Sequence, residues 1–311
     1  MSGAITTKRP LVIAHRGASG YLPEHTLAAK ALAHSQGADF LEQDVVATRD
    51  GQLIVCHDVY LERVTDVKTR YPARHRTDGH FYAIDFDWHE IRTLRRLGDD
   101  SLTKPAQAPD GIYADAAQRI CALAEEIEFI HSLNRAQRHS SGIYVEIKNP
   151  RWHREQGCDI TSTVLRVLAD CGYANAADPI FLQCFDAVEL RRVREELGSS
   201  LRLVQLVGRG SPPELLASGG LERIAEYATA LGPNYRLLLD VSDTDELVMT
   251  PLVSEARRAG LLLHPYTFNR DAIPAYAETL EELLALAYRM LVPDAVFCDY
   301  PDVAVQVRDC V

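Results

Sequence analysis

The sequence contains no long apolar run. The N-terminal MSGAITTKRP has no hydrophobic stretch before Leu11, and no later segment reaches the roughly 18 apolar residues that a membrane-spanning helix needs. We therefore expect a soluble protein without a membrane span. Because no export signal precedes Leu11, we expect it in the cytoplasm, or in the periplasm if a signal peptide has been removed.

Cysteines at metal-binding or redox spacing are also absent. The seven cysteines are an odd number without a CxxC pair, and Cys56, Cys184 and Cys298 lie in strand-like apolar runs. This distribution is typical of small buried side chains, and it disfavours both a disulfide framework and a zinc site.

Positive charge is scarce. The 33 lysine and arginine residues face 44 aspartate and glutamate residues, and the formal net charge is −11. Nucleic acid and anionic membrane surfaces repel such a chain, so we expect neither as a partner. A phosphate-containing ligand needs a local cluster of cations, which favours a small-molecule substrate in a cleft. The sequence does not indicate an oligomeric state.

What the sequence does contain is an alternation of strand-like and helical patterns. The predicted strands are Leu11–Ala14, Phe40–Val46, Ile143–Ile147, Ile180–Gln183, Leu201–Val207, Arg236–Val241, Leu261–His264 and Ala295–Cys298. Helical patterns such as Leu221–Leu231 lie between most of them. This alternation predicts an α/β fold, specifically a TIM (β/α)8 barrel, as a single domain over residues 1–311.

One long interval, about residues 58–118, breaks this alternation between the second and third predicted strands. It is polar and rich in arginine, aspartate and aromatic residues. A loop of this length usually has a function or a structure of its own. We predict a small insertion that caps the mouth of the barrel.

Acidic residues fall on or at the ends of the predicted strands, where a TIM barrel carries its reactive groups. Glu42 and Asp44 are two residues apart, so their side chains share one face. That pair could also face outward or be neutralised by lysines. Glu146 adds a third carboxylate in an apolar strand, where an unpaired charge costs on the order of several kcal/mol. Three converging carboxylates predict one divalent cation, with Ca²⁺ favoured and Mg²⁺ as the alternative.

Two histidines are predicted to act beside this cation. Asp50-Gly51 predicts a two-residue hairpin turn, and counting outward from it sets His57 directly opposite Asp44. His15 ends the neighbouring strand. Two imidazoles at one cation indicate general acid and base catalysis, because histidine exists in both protonation states near neutral pH. The histidines for which a structural role is expected instead are His25, His34, His89, His131 and His139.

Cationic and amide side chains at the strand ends are the predicted substrate ligands. Arg16 follows the first strand and Lys148 the third, and both are suited to phosphate. Either could instead neutralise the carboxylates. Gln183, at the end of the fourth strand, completes the predicted substrate-binding set.

These residues lie in seven segments that together form a specific signature. The segments are IAHRGASGYLPEHT, GADFLEQDV, DGQLIVCHD, YVEIK, FLQCFD, HPYTFN and CDYPD. With them the chain resembles the glycerophosphodiester phosphodiesterase family from about Leu11 to the C-terminus. DVYLERVTDV, DGHFYAIDF and EEIEFI are similar to its periplasmic bacterial branch.

The resemblance implies a TIM barrel that hydrolyses glycerophosphodiesters, such as glycerophosphocholine and glycerophosphoethanolamine, to sn-glycerol 3-phosphate and an alcohol. It implies Ca²⁺ as the usual cation of the branch. The implied site residues are Glu42, Asp44 and Glu146 as metal ligands, His15 and His57 as acid and base, and Arg16 as the phosphate ligand. The absent signal sequence departs from the periplasmic branch.

Two alternatives remain at this point. A phospholipase D of the sphingomyelinase type resembles the same barrel with the same histidines and carboxylates, but it lacks the insertion at residues 58–118. The other alternative is a non-catalytic glycerophosphodiester-binding protein, which intact catalytic positions disfavour.

Overall fold

Short aliphatic strands alternate with helices along most of the computed structural model, which describes residues 9–97 and 119–311. The strands are β1 (Leu11–Ala14), β2 (Phe40–Ala47), β3 (Leu53–Val55), β4 (Gly142–Ile147), β5 (Ile180–Cys184), β6 (Arg202–Val207), β7 (Ala230–Pro233), β8 (Leu239–Val241), β9 (Leu247–Met249), β10 (Leu262–Leu263) and β11 (Ala295–Cys298).

The helices cover the outside of these strands, and several begin with a side-chain cap or a proline. They are α1 (Leu27–Ser35), α2 (Val67–Arg70), α3 (Trp88–Ile91), α4 (Leu123–Ala136), α5 (Pro150–Glu155), α6 (Ile160–Asp170), α7 (Ala187–Glu195), α8 (Gly220–Ala225), α9 (Pro251–Arg258), α10 (Leu280–Leu286) and α11 (Pro301–Cys310). Short 3₁₀ turns lie at Ala83–Asp85, Pro213–Leu215 and Tyr235–Leu237, and a π turn at Ala287–Leu291. Within the described residues, every helix is too short or too polar to cross a bilayer.

Eight parallel strands form a nearly closed barrel, which confirms the predicted TIM (β/α)8 fold. Their order is β10-β7-β6-β5-β4-β2-β1-β11, and β3 adds to β2 as an antiparallel hairpin strand. Individual hydrogen bonds join β11 to the β10 side: Asp294 N–H donates to the Leu263 carbonyl at 2.9 Å, and Phe297 N–H to the Pro265 carbonyl at 3.0 Å. Parallel strands covered on both faces are mostly apolar. All eight residues of β2 are buried, although Glu42, Gln43 and Asp44 are polar.

Aromatic side chains fill the barrel interior below its mouth. The Tyr144 ring stacks on Phe181 at 5.0 Å between centroids and meets the edge of Phe297 at 4.9 Å. The Tyr144 hydroxyl is 2.8 Å from Nδ1 of the buried His264. This packed floor separates the polar end of the barrel from the opposite end.

The predicted strand Arg236–Val241 is wrong. The barrel strand is Ala230–Pro233, at the end of the helix predicted for Leu221–Leu231, whereas Leu239–Val241 pairs with Leu247–Met249 in a separate two-stranded sheet. Ala-Leu-Gly-Pro contains no β-branched residue, so it lacks the usual strand signal. A glycine is needed there because a Cβ on Gly232 would lie 2.7 Å from a methyl of Leu206.

The predicted hairpin register is also wrong by one residue. Thr48 N–H donates to the Gln52 carbonyl at 2.9 Å, which closes a three-residue loop, and Cys56 N–H donates to the Asp44 carbonyl at 2.9 Å. Cys56 therefore lies opposite Asp44. His57 comes after the end of β3 and reaches the barrel mouth from a loop.

The predicted insertion has its own small core where it is described. Val46 and Ile54 of the β2–β3 hairpin pack with Leu61, Phe86 and Ile91 from the segment that follows. We call residues 58–97 the capping segment. The rest of the predicted insertion, residues 98–118, lies outside the described residues.

Candidate active site

The side chains at the carboxyl ends of the barrel strands surround one cavity of about 160 Å³. Of the eight residues predicted for the site, the cavity is lined by His15, Arg16, Glu42, His57, Glu146, Lys148 and Gln183. Asp44 lies behind this lining, with only 1% of its surface exposed. The structure thus brings the predicted residues together, and the wrong hairpin register does not remove His57.

Each of the two histidines in the cavity is paired with an aspartate through Nδ1. His15 Nδ1 is 2.6 Å from Asp299 Oδ1, and His57 Nδ1 is 2.7 Å from Asp58 Oδ1. A carboxylate at Nδ1 holds the proton there and leaves Nε2 free to exchange a proton with another group. Two oriented imidazoles at one cavity can act as an acid and base pair.

Neighbouring groups stabilise the aspartate of each pair and change the pKa values of His15 and Asp58. The Ser19 hydroxyl donates to Asp299 at 3.0 Å. Burial lowers the pKa of His15 and Arg16 lowers it further, but the interaction with Asp299 outweighs both and raises it above the usual value. Burial raises the pKa of Asp58, but His57 and Arg63 outweigh burial and lower it to about 2.

Asp299 and Asp58 received no role from the sequence. A signal for Asp299 exists, because it follows the last barrel strand and β11 pairs with β1, the strand that His15 ends. The signal for Asp58 is weaker, since adjacent residues in a loop need not face one another.

Arg16 is held by three carboxylates. Its backbone N–H donates to Glu42 Oε2 at 2.7 Å, and its Nη1 donates to Glu24 Oε2 at 2.5 Å. Its Nε lies 3.4 Å from Asp44 Oδ2. Burial opposes the guanidinium charge, but Asp44, Glu24 and Glu42 outweigh burial and raise the pKa of Arg16. A permanently charged fork therefore lies at the cavity wall.

Burial and repulsion between the site carboxylates make the charged forms of Glu42 and Glu146 unfavourable. Burial raises the pKa of Glu42 to about 7, with a further contribution from Asp44, and burial raises the pKa of Glu146 to about 8. The pKa of Asp44 is lowered despite burial, because Lys148, His25 and Arg16 stabilise its charge. Such a cluster favours a bound cation, which together with Arg16 and Lys148 compensates the negative charge of the three groups.

Lys148 supplies part of that neutralisation. Its Nζ lies 2.7 Å from Glu146 Oε1 and 3.6 Å from Asp44 Oδ1. The neutralising role that the sequence left open for Lys148 is thus present in this structure. A lysine between two carboxylates can also turn toward a phosphate ligand, because its ammonium is a point charge on a flexible stem.

His25 is a third histidine at the site and received only a structural role from the sequence. It is fully buried, and its Nε2 lies 2.8 Å from Asp44 Oδ2. Burial lowers the pKa of His25 to about 3, so the ring is neutral and Nε2–H donates to Asp44. His25, Glu42 and Asp44 each offer a ligand atom within 4.8 Å of the others'.

The donor set fits a hard divalent cation. Asp44 Oδ1 is buried and accepts no hydrogen bond, so one carboxylate oxygen lacks a hydrogen-bonding partner within the described residues. Gln183 Nε2 donates to Glu42 Oε1 at 3.3 Å and orients that carboxylate. Oxygen atoms from several carboxylates are the ligands that Ca²⁺ and Mg²⁺ prefer.

Apolar side chains form the remaining wall of the cavity. They are Phe185, Leu206, Tyr266 and Phe297. Phe185 is 41% exposed and contacts the edge of Tyr266 with 6.0 Å between ring centroids. One side of the cavity is thus charged and the other apolar, which suits a small ligand with a phosphate and a carbon chain.

Comparison with known proteins agrees with this arrangement. The model of the glycerophosphoryl diester phosphodiesterase family matches residues 15–303. A glycerophosphodiester phosphodiesterase of Haemophilus influenzae is 36% identical, over 95% of this chain and 89% of the relative, and one of Treponema pallidum is 34% identical, over 95% and 91%.

Solved structures share the fold. A phosphodiesterase of Oleispira antarctica, crystallised with the product sn-glycerol-3-phosphate, aligns with a TM-score of 0.68 at 24% identity, over 97% of each chain. A glycerophosphodiester phosphodiesterase of Agrobacterium tumefaciens aligns with a TM-score of 0.62 at 20% identity, over 95% of this chain and 99% of that one. The family match over residues 15–303 and the two relatives decide the assignment: this chain is an enzyme of the glycerophosphoryl diester phosphodiesterase family.

Proposed function

We propose that the chain hydrolyses glycerophosphodiesters such as glycerophosphocholine and glycerophosphoethanolamine to sn-glycerol 3-phosphate and an alcohol, with one divalent cation. The observation that carries this proposal is the pair of aspartate-bound imidazoles, His15 and His57, at a cavity that also contains Arg16 and buried carboxylates. The product named for the Oleispira structure supports the same substrate class.

Glu42, Asp44 and Glu146 are the proposed metal ligands. Asp44 and Glu146 are directly paired on neighbouring strands, and Glu42 lies two residues before Asp44 on the same face. Ca²⁺ is favoured over Mg²⁺ because the site combines several carboxylates with an open cavity. When bound, the cation neutralises the carboxylates and polarises the phosphodiester oxygens.

In the proposed reaction, side chains of the protein bind the phosphate group and transfer protons. Arg16 and Lys148 bind phosphoryl oxygens, and Gln183 keeps Glu42 in place. One imidazole accepts the proton of the glycerol 2-hydroxyl as its oxygen attacks phosphorus, and the other donates a proton to the leaving alcohol oxygen. Water then opens the resulting cyclic phosphate, with the two imidazoles in reversed roles.

The direct test is product release. We expect sn-glycerol 3-phosphate from both glycerophosphocholine and glycerophosphoethanolamine, loss of this activity in EDTA, and recovery with Ca²⁺ more than with Mg²⁺, measured by a coupled assay. Sphingomyelin and lysophosphatidylcholine serve as comparison substrates. Faster turnover of these choline lipids would favour the sphingomyelinase-type alternative, and full activity of metal-stripped protein in EDTA would exclude a required cation.

Removal of either imidazole should stop the chemistry without unfolding the protein. We expect His15→Ala and His57→Ala to lower kcat by about 10²- to 10⁴-fold, the usual contribution of a general acid or base. The melting temperature should change little, because both side chains are partly exposed. His89→Ala, on the exposed surface of the capping segment, is the matched control. Near-normal kcat in either variant with metal bound would contradict the acid and base assignment.

Either Glu146 or His25 can be the third metal ligand beside Glu42 and Asp44. Isothermal titration calorimetry with Ca²⁺ distinguishes these two possibilities. We expect Glu146→Gln to weaken Ca²⁺ binding by at least about tenfold, because it removes a charged ligand. His25→Gln should leave the affinity nearly unchanged, because the glutamine amide nitrogen can take the position of imidazole Nε2 and still donate to Asp44. The reverse result would assign the position to His25 and remove Glu146 from the ligand set.

The raised pKa values of Glu42 and Glu146 predict how stability depends on pH. Above about pH 6.5 and up to about 8, Glu42 and Glu146 of the folded protein without metal bind more protons than they do in the unfolded chain. Below about pH 6.5 the buried neutral His25 has the opposite effect, because its pKa is lowered from 6.5 to about 3 on folding. The free energy of unfolding in EDTA should therefore fall as pH rises from about 6.5 to about 8.

Thermal melts between pH 5 and 8.5 measure this dependence. Ca²⁺ should raise the melting temperature more at pH 8 than at pH 5.5, because the carboxylates bind it only when ionised. Glu146→Gln should flatten the EDTA profile. A melting temperature in EDTA that rises steadily toward pH 8.5 would contradict the assigned cause.

A further inference from the structure

A chain of ion pairs connects one active-site histidine to the active-site arginine. His57 Nδ1 is 2.7 Å from Asp58 Oδ1, and Asp58 Oδ2 accepts a hydrogen bond from Arg63 Nε at 2.6 Å. Arg63 Nη2 donates to Glu24 Oε1 at 2.9 Å, and Glu24 Oε2 accepts from Arg16 Nη1 at 2.5 Å. Asp58 and Glu24 thus each use one carboxylate oxygen to bind Arg63. The other oxygen of Asp58 binds His57, and the other oxygen of Glu24 binds Arg16.

The capping segment fixes the backbone of Arg63. Its neighbours Leu61 and Val64 are 0% and 8% exposed in the small core of that segment, and Leu61 N–H donates to the Phe81 carbonyl at 2.8 Å. The Arg63 side chain itself is 44% exposed. Ion pairs with this exposure add little to the stability of a fold, so the main effect of Arg63 is on geometry.

The first geometric effect concerns His57. Asp58 can hold a proton on Nδ1 only while its carboxylate keeps one orientation. The planar guanidinium of Arg63 donates a hydrogen bond to the second oxygen of Asp58 and so restricts rotation about the Cβ–Cγ bond of Asp58. His57 is then held as the tautomer whose Nε2 can take up a proton.

The second geometric effect concerns Arg16. Its Nε lies 3.4 Å from Asp44 Oδ2, so Glu24 and Asp44 compete for the same guanidinium. Arg63 fixes the Glu24 carboxylate through the 2.9 Å hydrogen bond, so that Glu24 stays within reach of Arg16. Without it, Glu24 can swing away and Arg16 is free to settle on Asp44, a proposed metal ligand.

The other imidazole is supported differently. The Asp299 partner of His15 accepts a hydrogen bond from the Ser19 hydroxyl. Within residues 9–97 and 119–311, the ion pairs of Asp299 include no arginine or lysine. An arginine that clamps the imidazole's carboxylate is therefore a feature of His57 and not of His15.

We propose that Arg63 is a positioning residue that orients His57 and Arg16 together, so that the capping segment supports the active site through Asp58 and Arg63. Its catalytic consequence rests on the proposed function. Arg63 acts through Asp58 and Glu24, and it does not itself line the cavity.

Steady-state kinetics with glycerophosphocholine and Ca²⁺ test the catalytic consequence. We expect Arg63→Met to lower kcat about 10- to 100-fold and to raise KM, because a misplaced His57 costs transition-state stabilisation and a displaced Arg16 weakens phosphate binding. The melting temperature should change little. Arg63→Lys should recover part of the loss. Arg70→Met is the matched control, since Arg70 is 41% exposed and, among the described residues, forms its ion pair with Asp66 of the same segment. Near-normal kcat in Arg63→Met, or an equal loss in Arg70→Met, would overturn the proposal.

A spectroscopic measurement tests the geometry without any substrate. In ¹⁵N-histidine spectra, with the His57 signals assigned by comparison with His57→Gln, we expect one Nδ1–H tautomer in the wild type and a mixture in Arg63→Met. An unchanged His57 spectrum in Arg63→Met would overturn the proposal even if kcat falls. If the wild type does not turn over glycerophosphocholine while the spectra change as expected, the proposed function fails and the role of Arg63 in orienting His57 stands.

Discussion

The burial of three carboxylates at one end of a barrel is the constraint on which the rest of the site depends. Glu42, Asp44 and Glu146 are each at most 6% exposed. Charges removed from water in this way must be compensated by cations or protons. Arg16 and Lys148 provide fixed positive charge, and a divalent ion provides the remainder in the proposed function. A surface with this balance attracts phosphate, although the whole protein is strongly acidic.

Most of this arrangement could be predicted because a parallel strand carries its chemistry at its end. His15, Glu146 and Gln183 were found by locating apolar runs and reading the polar residues on or after them. This signal is missing at β7, because Ala-Leu-Gly-Pro has no β-branched residue to indicate a strand. The register of the β2–β3 hairpin was also predicted wrongly, because Asp-Gly occurs in both two-residue and three-residue loops and only the backbone hydrogen bonds distinguish them.

The groups that support the site could not be predicted in the same way. Asp299 lies 284 residues from His15 along the chain, and the two meet only because the last strand pairs with the first. Glu24 and Arg63 come from a loop and from the capping segment, with no shared pattern in the sequence. His25 differs from these residues: the sequence predicts only a structural role for it, whereas its contact with Asp44 places it directly beside the proposed metal site.

The pairing of Asp44 with Glu146 has a consequence for how such a protein can vary. The two residues are direct partners in the ladder between β2 and β4. Main-chain hydrogen bonds therefore set the distance between their Cα atoms, and the loops above do not. Loop residues at the mouth other than His57, Glu24 and Arg63 can change in number or type while the spacing of these two carboxylates stays the same. The shape of the mouth and the spacing of the buried carboxylates are in this sense set by different parts of the barrel.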